Sequence, residues 1–301
     1  MSQNKKQIRL LVCDLDNTLY DWFAFFVPSF YAMVDKAVQV TECDREILLD
    51  DLREVHQRHH DSEHPFSLLE TDTIRRLFPD STKRQIAEAL DSAFHAYNSK
   101  RKENLKLHRG VKRTLEILER SDIRLVAHTE SKLYPVVDRL RRFDLARYFS
   151  RIYCRERSLS DHPFPENSAR WLEDFPMEKV VELSKHQSKP SIDVLLEICS
   201  KEGFEPREAA YIGDSMARDI LMAKGAGVFA IWAAYGADHD PDQYARLVRI
   251  THWTKEDVDR EIELKEAARK VAPDFVADDS FADILQVIAI KKPSEIRSRS
   301  A

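Results

Sequence analysis

Ile8-Arg9-Leu10-Leu11-Val12-Cys13-Asp14-Leu15-Asp16-Asn17-Thr18 changes character within one residue. Its first half is apolar apart from Arg9, and its second half carries two aspartates, an asparagine and a threonine. An almost continuous apolar run from Ile8 to Asp14 is the pattern of a strand in a parallel sheet whose two faces are both covered by helices. In such sheets ligands bind just beyond the carboxyl ends of the strands, where Asp14, Asp16 and Thr18 fall. An Asp-rich turn that only caps a strand end competes with that reading, so the rest of the chain has to discriminate.

Downstream, from about Trp22 to Leu107, the pattern becomes long and charge-rich, with apolar residues at helical spacing over Asp44 to His60, Ser67 to Phe78 and Lys83 to Lys102. This predicts a helical insert over residues 21–107, flanked by an α/β core made of 1–20 and 108–301. Helix and strand then alternate: helix over Val111 to Arg120, strand over Ile123 to Ala127, helix over Ile192 to Lys201. Strand Ala209 to Ile212, helix Arg218 to Lys224, and strands Val228 to Ala233 and Phe275 to Ala277 continue the series. The expected fold is α/β, a doubly wound, mainly parallel sheet with an α-helical cap. Between Ser150 and Ser184 no clear strand stands out around Trp171 and Phe175, which predicts a long loop with one short helix. Asp238 to Lys270 reads as an exposed helical excursion, and Lys291 to Ala301 as a basic, Ser-rich, disordered tail.

Polar groups recur at each later strand end. Thr129 follows one strand, where a hydroxyl and the next backbone N–H groups can receive a phosphate oxygen. Lys189 precedes Pro190 and a helix start, a place that favours anions. Asp214 follows Gly213 at the end of the third strand, and Asp219 lies about one helical turn on. Singly Thr129 reads as an ST-turn and Lys189 as a surface lysine; with the two aspartate motifs and in this order they do not read as accidents.

This set of motifs resembles the haloacid dehalogenase-like hydrolases, over nearly the whole chain from Ile8 to about Ile290. The resemblance implies that Asp14 attacks phosphorus to form an aspartyl phosphate, and that Asp16 first protonates the leaving oxygen and then activates water. It further implies that Thr129 and Lys189 hold phosphoryl oxygens. Asp14, the backbone carbonyl of Asp16 and Asp214 would ligate magnesium, with Asp219 orienting the site through Lys189 and Thr18 bracing the nucleophile loop. Dehalogenases of this group lack the second acid, since a halide leaves unprotonated. Asp16 thus favours phosphate chemistry. Glu130 departs from the family's more usual Asn or Asp at that place and puts an extra carboxylate beside the phosphate position.

The expected activity is a magnesium-dependent phosphatase acting on a small phosphorylated metabolite; a phosphomutase and a non-catalytic binding protein on the same scaffold are the alternatives. A net charge of −5 supplies no overall field to recruit nucleic acid or an anionic membrane. Cys13, Cys43, Cys154 and Cys199 are far apart, without the paired spacing of a zinc finger or a disulfide framework. With no signal-peptide or spanning-helix pattern at the N-terminus, a cytoplasmic protein is expected. The aromatic stripe Trp22, Phe23, Phe25, Phe26, Phe30 and Tyr31 reads as core packing. His56, His59 and His60 share a helix face near His64 and could bind a transition metal, but no carboxylate completing the set is evident in the sequence.

Overall fold

The computed structural model describes residues 5–64, 66–157, 163–164, 172–238 and 240–290. Trp171 and the Lys291 to Ala301 tail lie outside them. Among the described residues seven strands form one parallel sheet: β1 (Leu10–Cys13), β2 (Arg124–Lys132), β3 (Arg151–Arg155), β4 (Val180–Leu183), β5 (Ala209–Gly213), β6 (Phe229–Ala233) and β7 (Phe275–Ala277). Their order is β4-β3-β2-β1-β5-β6-β7. The chain therefore builds outward from β1 in both directions, and the switch point falls between β1 and β5, where an open α/β sheet leaves a crevice. β1 is fully buried, as its sequence requires. Leu11 and Cys13 face one helical layer, while Leu10 and Val12 face the other beside Leu195, Ile198 and Met222, following the two-residue period of a strand.

Between β1 and helix α6 (Val111–Glu119) the chain is helical: α1 (Trp22–Thr41), α2 (Arg45–His59), a 3₁₀ turn (Ser67–Glu70), α3 (Asp72–Leu77), α4 (Lys83–Ala89) and α5 (Asp91–Asn104). Side-chain caps start four of them: Asp21 accepts from Ala24 N–H, Asp44 from the N–H groups of Glu46 and Ile47, Thr71 from Ile74 N–H, and Thr82 forms a capping box with Gln85. The aromatic stripe is core, with Phe25, Phe26 and Phe30 at most 2% exposed.

Two expectations need correction. The 150–184 segment contains two strands, β3 and β4, on the far edge of the sheet. They escaped notice because β3 is only Arg-Ile-Tyr-Cys-Arg, with a charge at each end, and β4 is a half-exposed edge strand of four residues. The 238–270 excursion is two helices, Pro241–Ile250 and Lys255–Ala268, and it does not stand apart. Tyr31 donates to the Arg246 carbonyl, His56 bonds the Ile250 carbonyl and Gln57 donates to the Trp253 carbonyl, so the first helix and the turn after it grip the insert. The second helix grips the core through Arg218 and Glu261, 3.0 Å apart.

Candidate active site

Asp14 ends β1 and Asp214 follows β5, so the two strands flanking the switch point each deliver a carboxylate. Asp219 joins them from the π-helical turn Met216–Ile220, and one carboxylate oxygen of each of the three lies within 4.8 Å of the others. Gly213 makes this approach possible, since a Cβ there would sit 2.3 Å from the Asp219 carboxylate carbon. Gly236 serves the nucleophile loop in the same way: a Cβ would lie 1.8 Å from the Asn17 carbonyl oxygen. Asn17 has φ 56°, in the left-handed region that asparagine tolerates, and its side chain accepts from the Trp22 and Phe23 amides at the start of α1. The tight turn that presents Asp14 is thus tied to the first helix of the insert.

Each oxygen of Asp14 has a partner: Lys189 Nζ at 2.6 Å and Thr18 Oγ1 at 2.9 Å. Lys189 also donates to Asp219 at 2.9 Å, and Asp219 accepts from Tyr211 and from the Ser215 amide. Thr18 thus touches Asp14, and Asp219 touches Lys189. The electrostatics do not balance internally. Burial pushes the Asp14 carboxyl up to about 7 despite the ammonium beside it, and burial with the neighbouring Asp14 raises Asp214 well above the carboxylate range. Three clustered carboxylates facing one lysine leave surplus negative charge, and a hard dication held by oxygen is the group such a donor set fits.

Asp16 points its side chain elsewhere. It accepts from Thr129 Oγ1 at 3.2 Å, from Ser131 Oγ at 2.6 Å and from Arg139 at 2.5 Å. Thr129 does not close β2, as the sequence suggested; the strand continues to Lys132 with an irregular register after His128, which carries both hydroxyls to Asp16. Glu130 turns away from the carboxylate cluster, accepting from the Lys189 backbone amide at 3.0 Å and pairing with Arg155. Of the residues singled out, Asp14, Lys189, Asp214 and Asp219 form one cluster with Thr18, and Asp16 with Thr129 forms a second beside it.

Sequence reasoning missed Ser131, Tyr211, Arg139 and Glu63. Arg139 is 2% exposed on α7 (Leu133–Arg142), lies over the rings of Tyr20 and Phe25, and joins Asp16 to Glu63, which comes from the insert. One signal was available. Leu133, Val136, Val137 and Leu140 mark the buried face of α7, and Arg139 lies three residues after Val136, at the margin of that stripe.

The chain matches the haloacid dehalogenase-like hydrolase family over residues 8–227, and a HAD-hydrolase-like family over residues 186–283. It belongs to the haloacid dehalogenase-like hydrolases. Its fold is similar to that of a 2-haloacid dehalogenase from Pseudomonas syringae pv. Tomato DC3000, at 19% identity and a TM-score of 0.52, covering 98% of this chain and 100% of that one. A predicted phosphoglycolate phosphatase from Haemophilus somnus 129PT matches at 18% identity and TM-score 0.48, over 94% of this chain and 99% of that one. A putative HAD-hydrolase from Bacillus subtilis bound to magnesium matches at 15% identity and TM-score 0.44, over 91% and 96%. A comparison with curated proteins gave no match. Among the described residues of this hydrolase no helix is long and apolar enough to cross a membrane.

Proposed function

We propose that this hydrolase is a magnesium-dependent phosphatase of small phosphomonoesters, working through an aspartyl phosphate at Asp14. The observation that carries the reading is the second acid. Asp16 stands two residues beyond the nucleophile and is held by Thr129 and Ser131 at the next strand end, a provision that removal of a halide does not call for. Phosphate monoester hydrolysis is among the slowest reactions in water, so alignment and charge neutralisation must supply most of the acceleration. Lys189 and the hydroxyl and amides around Thr129 are the positive and neutral donors for phosphoryl oxygens. Asp14, Asp214 and the Asp16 carbonyl would hold magnesium, which supplies charge neutralisation and alignment of the phosphoryl group. Lys189 and Thr18 aim Asp14, Lys189 opposes the rise that burial imposes on its carboxyl, and Asp219 fixes Lys189.

Asp16 must protonate the leaving oxygen in the first half-reaction and take a proton from water in the second. The Arg139 ion pair occupies it in this conformation, so its contact with Arg139 has to loosen when the leaving group is to be protonated. Residues 21–107 would act as the cap; Glu63 reaching from that segment to Arg139 supports a substrate small enough to be enclosed. The decisive experiment measures free phosphate from a panel of sugar phosphates, phosphoglycolate and nucleoside monophosphates, with and without magnesium, and chloride release from 2-chloropropionate in parallel. Magnesium-dependent phosphate release is expected. Halide release without phosphatase activity would overturn the reading.

A further inference from the structure

The sequence showed histidines without a carboxylate; the fold brings one. Glu70, at the end of the 3₁₀ turn, accepts from His59 Nε2 at 2.7 Å through one oxygen and faces His64 Nε2 at 3.4 Å with the other. One ligand atom from each of the three lies within 4.8 Å of the others. The two imidazoles are parallel, with centroids 3.5 Å apart and an interplanar angle of 6°. We propose that His59, His64 and Glu70 form a second metal site, for a zinc-class transition ion, which fixes the loop between α2 and the 3₁₀ turn.

The donor chemistry separates this site from the acidic cluster. Two imidazoles and one carboxylate suit zinc, cobalt or nickel, whereas magnesium prefers an all-oxygen shell. Tetrahedral zinc at 2.0–2.1 Å from nitrogen needs donor atoms about 3.4 Å apart. The His64–Glu70 separation already has that value; the His59–Glu70 contact has to open by less than about 1 Å, and the partly exposed His59 ring has to tilt out of its stack on His64 so that both lone pairs meet the ion. His64 has a fully buried side chain, which fixes its imidazole beside Glu70. His59 is 30% exposed at the side chain, giving an ion a way in and leaving a position for water. Lys83 rests on Glu70 at 3.4 Å and is itself partly exposed, so its ammonium can withdraw to solvent when a cation takes its place.

The loop that the two histidines bracket gives the site a purpose. Asp61 pairs with Lys132, whose ammonium also donates to the His59 carbonyl, and Glu63 pairs with Arg139 beside Asp16. His59 and His64 are the residues on either side of these contacts. An ion joining both to Glu70 holds Glu63 against Arg139 whatever the reaction at Asp14, so the inference stands apart from the phosphatase reading.

Cobalt tests it, because its visible absorption reports nitrogen ligation and low coordination number. Chelator-treated full-length protein is titrated with cobalt in excess magnesium, which keeps the acidic cluster occupied, and zinc is then added as competitor. One equivalent of cobalt with an intense visible band that zinc displaces is expected. Glu70→Gln and His59→Ala, checked for folding by circular dichroism, should weaken that binding at least tenfold. Zinc should also slow hydrogen exchange in residues 60–64 severalfold in the wild type and not in Glu70→Gln. Absence of a magnesium-resistant cobalt site, wild-type affinity in both variants, or zinc binding that leaves the exchange of residues 60–64 unchanged would each overturn the proposal.

Discussion

Replacing Arg139 by Met keeps much of its length and removes the only charge on a side chain that is 3% exposed. Two carboxylates lose their common partner. Breaking a buried ion pair from one side costs about 3–5 kcal/mol. Asp16 and Glu63 are 21% and 13% exposed at the side chain, so water relieves part of that loss and the lower end, about 3 kcal/mol, applies. With 301 residues and an unfolding entropy of about 2.1 cal/mol/K per residue, this lowers the melting temperature by about 5 °C. Glu63→Gln should cost less, and the double variant should recover part of the Arg139→Met loss, because the unpaired carboxylate is gone. A pH series adds a second constraint. Burial already raises Glu63 above its ordinary value of 4.5, and loss of Arg139 removes what opposes that rise. A carboxyl with a raised folded pKa contributes stability at low pH and loses it as pH climbs through that pKa. The Arg139→Met deficit should therefore shrink as the pH falls from neutrality towards 4.5. Urea unfolding of the four proteins measures the cycle; costs that add to within about 0.5 kcal/mol would show that Glu63 does not depend on Arg139.

Asp16→Asn should still bind magnesium and, with an aryl phosphate, give a burst of phenol stoichiometric with enzyme and then a slow steady state, since dephosphorylation lacks its base; no burst and no covalent phosphate after acid quench would refute the two-role assignment. Lys189→Met should lower turnover by about 10²- to 10³-fold, and steady-state kinetics that match wild type would move Lys189 out of the site. Gly236→Ala drives a methyl into the Asn17 carbonyl and, by displacing the nucleophile loop, should cost about 10²-fold in turnover with the fold retained by circular dichroism. His56 is buried against the Ile250 carbonyl, near Asp61, His64 and His252, and burial lowers its pKa from 6.5 to about 4. A depressed histidine contributes stability above its unfolded pKa and loses it as pH falls towards the folded one. About 3 kcal/mol should thus disappear between pH 6.5 and 4, seen as a fall in hydrogen-exchange protection factors in Pro241–Ile250 that His56→Gln abolishes.

What was legible in the sequence and what was not divide along the range of the interactions. β1 could be read because both its faces are buried, so every residue from Leu10 to Cys13 had to be apolar. Asp14 and Asp214 could be read because each follows such a run directly. Arg139 could not, since its meaning lies in contacts with Asp16 and Glu63, remote in sequence and brought together only by the packing of α7 and the insert. Glu70 was invisible as a partner of His59 and His64 for a similar reason: a 3₁₀ turn, with no strong periodicity, folds it back. β4 was obscured by its edge position, where a half-exposed strand needs no continuous apolar run, and β3 by its brevity and the arginine at each end.

The grip of the Pro241–Ile250 helix on α1 and α2 changes how the insert can move. A lobe joined to its core only by two chain crossings can rotate about them as a hinge. Here Tyr31 and His56 hold a third strap that the core reaches through Arg218 and Glu261, so a pure hinge rotation would have to break it. The motion left open is sliding along that strap, a shear of a few ångströms in which side chains reseat between neighbouring partners. Substitutions near Arg246 or Ile250, far along the chain from Asp14, would then be felt as changes in how fast the lobe cycles.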